Sequence, residues 1–506
     1  MPTRPGSVTP LALDTISELV GGTLVGDGRT TVSGLTLGSS AVCPGDLYAA
    51  VPGTRTHGAR FAAEAVERGA TALLTDADGA DLVGEATIPM VVVESPRAVL
   101  GRAAAAVYGF PAERLTLVAV TGTSGKTTTT QLAAAAARAA GRRTAVIGTM
   151  GTWIDGEPVG GALTTPEAPD LHALFAVMVE RGVDVCTLEV SSHALVMGRV
   201  DGVVFDIAAF TNLGRDHLDF HGSVERYFAA KADLFSSRRA RRAMVNIDDP
   251  YGRRLADSPE IPTSTTSTQG RVADWAATIS RAERWGTGFD VTGPDGRRVS
   301  TVVHLPGAFN VSNALCALAC LAEAGVDLQA AADGIAGAPA VAGRMQRVER
   351  GQPFSVIVDY AHKPDAVTAA LEALRPVTDG LLTIVIGAGG DRDRGKRPMM
   401  GEIAGRLADV VIVTDDNPRS EDPDAIRAEI VAGARASQPA ARVLDVADRR
   451  AAIQRALASA RAGDTVLIAG KGHEKGQQVG DRVLPFDDAC VAAAVLDDLA
   501  TVPGAR

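Results

Sequence analysis

The stretch LTLVAVTGTSGKTTTT, residues 115–130, passes from an apolar run through a glycine-rich turn into a polar segment. The apolar run 115–120 predicts a buried β-strand, and the segment from Thr128 to Ala140, which Gly141 ends, predicts an α-helix. A glycine-rich turn at a helix N-terminus presents backbone N–H groups to an anion. We therefore interpret this turn as a phosphate-binding loop formed by Gly122, Thr123, Ser124, Gly125, Lys126, Thr127 and Thr128.

Two side chains of this loop have the chemistry that a bound nucleotide requires. We expect Lys126 to reach the β- and γ-phosphates of ATP and the Thr127 hydroxyl to bind Mg²⁺. The loop departs from the commonest nucleotide-binding pattern, because Val120 stands where that pattern has its first glycine. The alternative interpretation is a glycine-rich turn that only begins an ordinary helix.

Strand and helix patterns alternate on both sides of the loop, which predicts parallel sheets with crossover helices. In such sheets, ligands bind beyond the carboxyl ends of the strands. Polar or glycine-rich segments follow the apolar runs at 183–190, 204–210, 354–360, 381–387, 408–414 and 464–469. We expect two α/β domains that face each other across a cleft.

The bulk composition excludes several classes of protein. A chain of 506 residues is too long for one ordinary core, so we expect about three domains. A net charge of -10 argues against general binding to nucleic acid or to anionic membranes. The sequence has neither a secretion signal nor an apolar run of transmembrane length, so we expect a cytoplasmic protein. No interface pattern stands out in it, and we expect a monomer. Cys316 and Cys320 have helical spacing in an apolar segment, which predicts core packing.

Metal-ligand candidates follow the two central strands. Glu189 stands one residue before the end of the run 183–190, and a carboxylate at a strand end opposite a phosphate loop can hold Mg²⁺. His217, in NLGRDHLDFHG, is a second candidate, although a lone histidine is more often a hydrogen-bonded structural residue. By its pattern alone, Lys231 is an exposed helix lysine.

The segments EVSSHAL (189–195), TNLGRDHLDFHG (211–222) and YFAAKADLF (227–235) resemble the central domain of the Mur ligases. The short form of the phosphate loop is similar to that of the Mur ligases and their relatives, the folylpolyglutamate synthetases. The resemblance implies that Lys126, Glu189, His217 and Lys231 form the catalytic centre. It also implies that Lys231 is carbamylated and, with Thr127, Glu189 and His217, holds Mg²⁺.

The same resemblance implies an α/β fold of three domains. These are an N-terminal α/β uridine-binding domain (residues 1–112), a central P-loop ATPase domain with a parallel sheet (113–343) and a C-terminal Rossmann-like domain (344–506). The segment LTLGSSAVCPGDLYAAVPGTRTHG (35–58) resembles the uridine-binding domain, and Thr164-Thr165-Pro166-Glu167 resembles a motif that contacts the muramoyl peptide. The contacts implied for the UDP-linked substrate are Leu37, Ser39, Thr164, Thr165, Ser191 and Arg199.

The resemblance also places residues around the nucleotide and around the incoming amine. Asn310 and Asn313 in LPGAFNVSNALCALA, Arg344 at the domain junction and Asp359 in DYAHKP are the implied nucleotide contacts. The far end of diaminopimelate carries a carboxylate and an ammonium, so a selective site needs a planar cation and an anion. The motif Asp416-Asn417-Pro418-Arg419 is similar to the corresponding motif of the Mur ligases that add diaminopimelate. The implied contacts are Arg392, Asp416, Asn417, Pro418, Arg419, Gly470 and Glu474.

The function that the resemblance implies is amide-bond formation in peptidoglycan synthesis. With ATP and Mg²⁺, an acyl phosphate of UDP-N-acetylmuramoyl-L-alanyl-D-glutamate would accept diaminopimelate, taken as the meso isomer, although the residues do not specify the stereochemistry. A lysine-adding or other Mur ligase and a folylpolyglutamate synthetase-like ligase are the nearest alternatives. A non-catalytic P-loop protein is a third, and it would bind ATP without requiring an amine.

Overall fold

The computed structural model describes residues 3–85, 87–161, 163–283, 285–437 and 441–501. Within these ranges the chain forms three α/β units, and each unit has its own main sheet. The predicted boundary at residue 343 falls in the connection between the helix Leu328–Ala336 and the strand Gln346–Arg347. The predicted boundary at residue 112 falls in a short 3-10 turn, Pro111–Arg114, which precedes the strand Thr116–Thr121. No helix of the described ranges combines the length and apolar character needed to cross a bilayer.

The N-terminal unit is a mainly parallel sheet flanked by helices. Its main sheet has the order β2-β7-β6-β5-β4, in which β4 to β7 are parallel and β2 is an antiparallel edge strand. The strands are β1 (Leu11–Ala12), β2 (Thr23–Val25), β3 (Thr31–Val32), β4 (Gly34–Thr36), β5 (Asp46–Ala49), β6 (Ala72–Thr75) and β7 (Met90–Val92). The helices are α1 (Leu13–Val20), α2 (Ala62–Glu67), α3 (Ala77–Val83) and α4 (Pro96–Val107).

The central unit contains the largest sheet of the described residues. Its strands are β8 (Thr116–Thr121), β9 (Thr144–Gly148), β10 (Gly151–Ile154), β11 (Glu157–Gly160), β12 (Val185–Glu189), β13 (Phe205–Phe210), β14 (Ala240–Asn246), β15 (Thr263–Ser267), β16 (Trp275–Glu283), β17 (Gly286–Thr292) and β18 (Arg298–Val303). The helices are α5 (Lys126–Ala139), α6 (Ala168–Glu180), α7 (Ser192–Val196), α8 (Leu218–His221), α9 (Val224–Ala232), α10 (Pro250–Ala256), α11 (Ala308–Glu323) and α12 (Leu328–Ala336).

The order of this sheet is β11-β10-β9-β12-β8-β13-β14-β15-β16-β17-β18. The seven neighbouring strands β9-β12-β8-β13-β14-β15-β16 are parallel. Strands β10 and β11 extend the sheet at one edge, and β17 and β18 at the other, with antiparallel pairs. Helices α5 and α11 pack against each other over this sheet, and their apolar faces belong to one buried cluster. Cys316 and Cys320 are buried in α11, which confirms the predicted core packing.

The C-terminal unit has the sheet order β19-β20-β24-β21-β22-β23, in which β19 alone is antiparallel within the described part of the sheet. A hairpin of β25 and β26 follows. The strands are β19 (Gln346–Arg347), β20 (Ser355–Asp359), β21 (Leu382–Ile386), β22 (Val410–Val413), β23 (Arg442–Asp445), β24 (Thr465–Ala469), β25 (Gly476–Val479) and β26 (Arg482–Pro485). The helices are α13 (Pro364–Leu374), α14 (Lys396–Leu407), α15 (Pro423–Ala436), α16 (Arg449–Ser459) and α17 (Asp488–Thr501).

Each apolar run that predicts a strand forms one, with bounds within two residues of the prediction. The helix after the phosphate loop begins at Lys126, two residues before the predicted start. Gly125 has a φ of 88°, and this left-handed conformation lets the chain turn directly into the helix. In the central sheet Glu189 pairs with Val120, and Phe210 pairs with Thr121. The carboxyl ends of β12, β8 and β13 therefore lie side by side, as a ligand site in a parallel sheet requires.

Candidate functional site

The phosphate loop connects β8 to α5 and is held in shape by the segment that follows β13. The backbone N–H of Ser124 donates to Asn212 Oδ1 at 2.9 Å, and the N–H of Thr123 donates to the Asn212 carbonyl at 2.9 Å. A Cβ at Gly125 would collide with Asn313 Oδ1, so this position needs glycine for its close approach to α11 as well as for its φ. Asn313, a predicted nucleotide contact, therefore lies beside this loop.

Two lysines, the partly buried Lys126 and the buried Lys231, converge on one carbonyl of this loop. Lys126 Nζ donates to the carbonyls of Gly122 at 2.8 Å and Thr123 at 3.3 Å, and Lys231 Nζ donates to the Gly122 carbonyl at 2.8 Å. Burial, together with Lys363, lowers the pKa of Lys126 to about 8. Burial and the ammonium groups of Lys126 and Lys363 hold the pKa of Lys231 well below its ordinary value. The interpretation of Lys231 as an exposed helix lysine is wrong, because its side chain is buried.

Glu189 is buried at the end of β12 and is held by a residue that the sequence did not single out. The Thr149 N–H donates to Glu189 Oε1 at 2.9 Å and the Thr149 hydroxyl to Oε2 at 3.1 Å. Among the described residues, no three His, Cys, Asp or Glu side chains form a group able to hold a metal ion. Mg²⁺ needs only one or two carboxylates when phosphates and water complete its shell. Glu189 and the Thr127 hydroxyl fit that requirement as oxygen donors.

His217 begins the short helix α8 in a left-handed conformation with a φ of 52°. Its Nε2 lies 3.0 Å from an Asp216 carboxylate oxygen. Burial and nearby cations lower the pKa of His217 to about 3, although Asp216 opposes the shift. Burial favours the protonated carboxyl of Asp216, but Lys363 and His217 outweigh it and hold the Asp216 pKa below its usual range. The lowered pKa of His217 favours its neutral imidazole at pH 7.

The junction between the central and C-terminal units reaches into the same site. The Arg344 Nη2 donates to the Thr127 hydroxyl at 3.0 Å, and the guanidinium lies over the Tyr360 ring at 4.7 Å. The carboxylate of Asp359 accepts from the N–H of Met345 at 2.7 Å, and burial raises the pKa of this carboxyl. Asp359 therefore fixes the backbone that carries Arg344.

On α11, the Asn313 side-chain amide donates to Asn310 Oδ1 at 3.2 Å, and the Asn310 amide donates to the Pro306 carbonyl at 2.8 Å. Both side chains are buried, so they line the loop from one side as a connected pair.

The four central residues predicted to contact the UDP-linked substrate lie together. The Thr165 hydroxyl donates to the Glu189 carbonyl at 2.8 Å and accepts from the Ser191 N–H at 3.2 Å. Arg199 donates to the Thr165 carbonyl at 3.4 Å, and the hydroxyls of Thr164 and Thr149 lie 3.2 Å apart. This group therefore adjoins Glu189 directly.

Leu37 and Ser39 lie elsewhere, in the N-terminal unit. Leu37 packs against the core of that unit, and Ser39 begins a 3-10 turn, Ser39–Ala41. Within the described residues, no hydrogen bond joins either residue to the group around Thr165.

The residues predicted for the amine meet at the carboxyl edge of the C-terminal sheet. The Asn417 side chain links the two motifs, because its amide donates to Asp416 Oδ1 and to Glu474 Oε2, both at 2.9 Å. The buried Lys471 donates to Asn417 Oδ1 at 3.2 Å and to Glu474 Oε2 at 3.1 Å. A Cβ at Gly470 would collide with Asp416 Oδ2, so glycine is needed for this close packing.

Arg419 has a left-handed backbone conformation with a φ of 52°. Its backbone pairs with Val479 at the end of β25. Its guanidinium donates to the Gly390 carbonyl at 2.7 Å and, among the described residues, forms no ion pair. Burial, followed by the charge of Arg392, lowers the pKa of Arg419. Arg392 is exposed and donates to the Asp391 carbonyl at 3.0 Å. The two guanidinium groups therefore present positive charge that an incoming carboxylate can neutralise.

Sequence reasoning missed four residues of the site: Thr149, Asp216, Lys363 and Lys471. Three of them stand inside motifs that the sequence displays, because Asp216 precedes His217, Lys363 follows His362, and Lys471 lies in GKGHE. Thr149 carried no signal of its own, because it contacts Glu189 only through the pairing of β9 with β12.

Comparisons with known proteins agree along almost the whole chain. Residues 31–108 match the family model described as Mur ligase family, catalytic domain; residues 120–321 match Mur ligase middle domain; residues 343–472 match Mur ligase, glutamate ligase domain.

Two relatives are named UDP-N-acetylmuramoyl-L-alanyl-D-glutamate--2,6-diaminopimelate ligase. The one from Streptomyces avermitilis is 51% identical, with 97% of each chain covered, and the one from Streptomyces coelicolor is 50% identical, with 96% covered. A solved structure with the same name superposes with a TM-score of 0.69 at 32% identity, covering 98% of this chain and all of that one.

Proposed function

Because the chain belongs to the Mur ligase family, whose members are ATP-dependent amide-forming ligases, we propose that it joins diaminopimelate to UDP-N-acetylmuramoyl-L-alanyl-D-glutamate. The observation that carries this choice of amine is the guanidinium of Arg419, which forms no ion pair among the described residues and lies on the same sheet edge as Glu474. A carboxylate beside an ammonium, at one end of a diamino acid, matches this pair of charges. At this end lysine has an ammonium but no carboxylate, so it would leave Arg419 without an ion-pair partner.

The reaction needs the carboxylate of the substrate to become an electrophile. In the proposed first step, its oxygen forms a bond to the γ-phosphorus of ATP while the bond to the β-phosphate oxygen breaks, giving an acyl phosphate and ADP. The neutral amine then attacks the acyl carbon, phosphate leaves, and the amine loses a proton. Lys126 and Arg344 are the residues that we assign to the charge of the transferring group, because both lie at the phosphate loop.

Mg²⁺ belongs to this proposal as the ion that neutralises phosphate oxygens when it is bound. The Thr127 hydroxyl and Glu189 are the oxygen donors that we assign to Mg²⁺. We assign His217 as a further ligand, because its lowered pKa favours the neutral imidazole. We assign Lys231 as the carbamylated residue. Carbon dioxide adds to a neutral amine, and burial favours the neutral amine of Lys231. The carbamate would be an anion beside the ammonium groups of Lys126 and Lys363.

The substrate end of the proposal rests on the group of Thr164, Thr165, Ser191 and Arg199 that adjoins Glu189. Leu37 and Ser39 are assigned to the uridine end, on the N-terminal unit. We place the reaction in the cytoplasm and assign it to a monomer, in keeping with its use of ATP and a nucleotide-linked substrate. We take the amine to be the meso isomer of diaminopimelate.

The decisive experiment measures phosphate release from ATP in the presence of UDP-N-acetylmuramoyl-L-alanyl-D-glutamate. Meso-diaminopimelate, LL-diaminopimelate, lysine and ornithine are added in turn, with an amine-free reaction as the control. We expect release with meso-diaminopimelate and little with lysine or ornithine. Release with lysine would keep the ligase and overturn the assignment of Arg419. Release that does not depend on any amine would overturn the ligation proposal.

A further inference from the structure

Lys363 is a largely buried cation that the C-terminal unit places against the central unit. It immediately precedes helix α13, and its Nζ lies 2.6 Å from Asp216 Oδ2. The same ammonium donates to the Thr123 carbonyl of the phosphate loop at 3.2 Å. The side chains of Lys363 and Asp216 are only 13% and 12% exposed. The contact therefore joins two units through a largely desolvated ion pair.

The Thr123 carbonyl accepts from both Lys126 and Lys363. Two ammonium groups that share one carbonyl oxygen lie within a few ångströms of each other, and each interacts unfavourably with the other. This repulsion contributes to the lowered pKa of Lys126. Removing these groups from water is costly unless opposite charge compensates them.

Positive charge is concentrated around Lys126 and Lys231. Lys363 acts on both lysines with the same sign, and Glu189 and Asp216 are the carboxylates that oppose it. A carbamate on Lys231 would convert one cation into an anion, but Lys363 and Lys126 would still converge on the same loop. A polyanion at the phosphate loop would neutralise these two ammonium groups.

We propose that Lys363 is a second phosphate-binding lysine, which the C-terminal unit supplies to the terminal phosphates of ATP, and that Asp216 is the positioning residue that holds it there. The proposal rests on the proposed function, because it assumes that ATP binds at residues 122–128. It assigns to Lys363 a contact with the nucleotide in addition to its contact between units.

The place of Lys363 in the sheet separates it from the amine site. Lys363 follows β20, whereas Arg419 follows β22, three positions away in the order β20-β24-β21-β22. At a strand spacing of about 4.8 Å this is roughly 14 Å. A terminal phosphate on the loop that Lys363 contacts is therefore the nearer anion, and the distal carboxylate of the amine is the farther one.

The test measures binding of ADP and of the non-hydrolysable β,γ-imido analogue of ATP by titration calorimetry with Mg²⁺. We expect Lys363→Met to weaken the triphosphate analogue about 10- to 100-fold, the range of one charge-assisted hydrogen bond, and to weaken ADP less. Lys363→Arg should retain affinity within about threefold. Lys475→Met, at an exposed lysine outside the phosphate loop, is the matched control and should bind both nucleotides as the wild type does.

Asp216 is tested through a double-mutant cycle with Lys363. Asp216→Asn should weaken the triphosphate analogue, and the double variant should lose little more than Lys363→Met alone. Additive losses would overturn the positioning role of Asp216. If Lys363→Met binds the triphosphate analogue as tightly as the wild type, Lys363 only tethers the two units and the proposal is wrong.

Two further results have to be distinguished: failure of the wild type to bind nucleotide, and failure of the Lys363→Met variant to fold. A wild-type protein that binds neither nucleotide would overturn the proposed function itself. If Lys363→Met fails to fold by circular dichroism, the Lys363→Arg and Asp216→Asn variants decide: the first must bind and the second must weaken binding.

Discussion

Arg344 donates a 3.0 Å hydrogen bond to the hydroxyl of Thr127, across 217 positions of the chain. The guanidinium is held from the other side by the Tyr360 ring at 4.7 Å. The residue at the start of the C-terminal unit thus contacts the hydroxyl that we assign to Mg²⁺. When nucleotide and metal bind, Arg344 has to exchange this hydroxyl for another acceptor, and the γ-phosphate is the acceptor that the proposed reaction supplies.

Replacing Arg344 should therefore slow phosphoryl transfer more than it weakens ADP binding. Arg344→Met removes the guanidinium while keeping an apolar stem for contact with Tyr360. We expect kcat for phosphate release to fall about 10- to 100-fold, because a charge-assisted hydrogen bond contributes about 1.5–3 kcal/mol. ADP affinity, measured by calorimetry, is the internal control, since ADP lacks the γ-phosphate. A variant with wild-type kcat would contradict the assignment.

Lys126→Ala should abolish most turnover, because it removes the loop cation nearest to the transferring phosphoryl group. We expect phosphate release to fall at least about 100-fold, measured with all three substrates at saturation. Arg142→Ala is a suitable control, since Arg142 is exposed just before β9, at the opposite end of helix α5. Near-normal turnover in the Lys126 variant would exclude the phosphate-loop assignment.

Arg419→Ala should remove the preference for diaminopimelate over lysine. Position 419 has a left-handed backbone conformation, which arginine and alanine adopt at similar cost. The substitution therefore mainly removes the guanidinium. The ratio of kcat/KM for the two amines should fall by about 10- to 100-fold, mainly through loss of diaminopimelate activity. Arg450→Ala, an exposed arginine beside the buried Arg449, is the matched control. An unchanged ratio in the Arg419 variant would show that another residue selects the amine.

Lys231→Ala should be inactive, and short carboxylates such as acetate should restore part of its activity by supplying the missing anion. The buried, neutral amine of wild-type Lys231 should form a carbamate at neutral pH, because its pKa lies well below the ordinary value. A carbamate resonance in the ¹³C spectrum after addition of ¹³C-bicarbonate would report it directly, and Lys231→Ala is the negative control. Absence of this resonance from active wild-type enzyme would contradict the carbamate assignment.

His172 should make the protein less stable in acid. It lies buried on α6, its Nε2 is 3.2 Å from the Asp201 carbonyl, and burial lowers its pKa to about 4. Since the unfolded pKa is about 6.5, the unfolded state binds more protons between these values, and stability is lost as pH falls. The expected loss from pH 6.5 to pH 4 is about 3 kcal/mol.

Urea unfolding at several pH values checks this prediction. The variant His172→Phe should be less stable at pH 7 but should lose about 3 kcal/mol less than the wild type on acidification. Equal losses in the two proteins would assign the acid sensitivity to other groups.

The sequence by itself determined the local elements and predicted most residues of the candidate site. Apolar runs between polar turns predict the parallel strands, because a strand buried on both faces must be apolar along its length. The glycines of residues 122–125 mark the phosphate loop, because only that backbone lets a strand turn into a helix around an anion. D-N-P-R and G-K-G-H-E carry charges that a turn does not need, and both follow buried strands.

Only the tertiary structure decided which of these groups meet. Thr149 contacts Glu189 because β9 lies beside β12, and Lys363 reaches Asp216 because the C-terminal unit packs against the loop after β13. The burial of Lys231 has the same origin, since its helix pattern alone indicated exposure. Sequence spacing reports periodicity along one element, whereas these contacts join residues far apart in the chain. They depend on strand order and on how the units pack, which also set the desolvation that shifts each pKa.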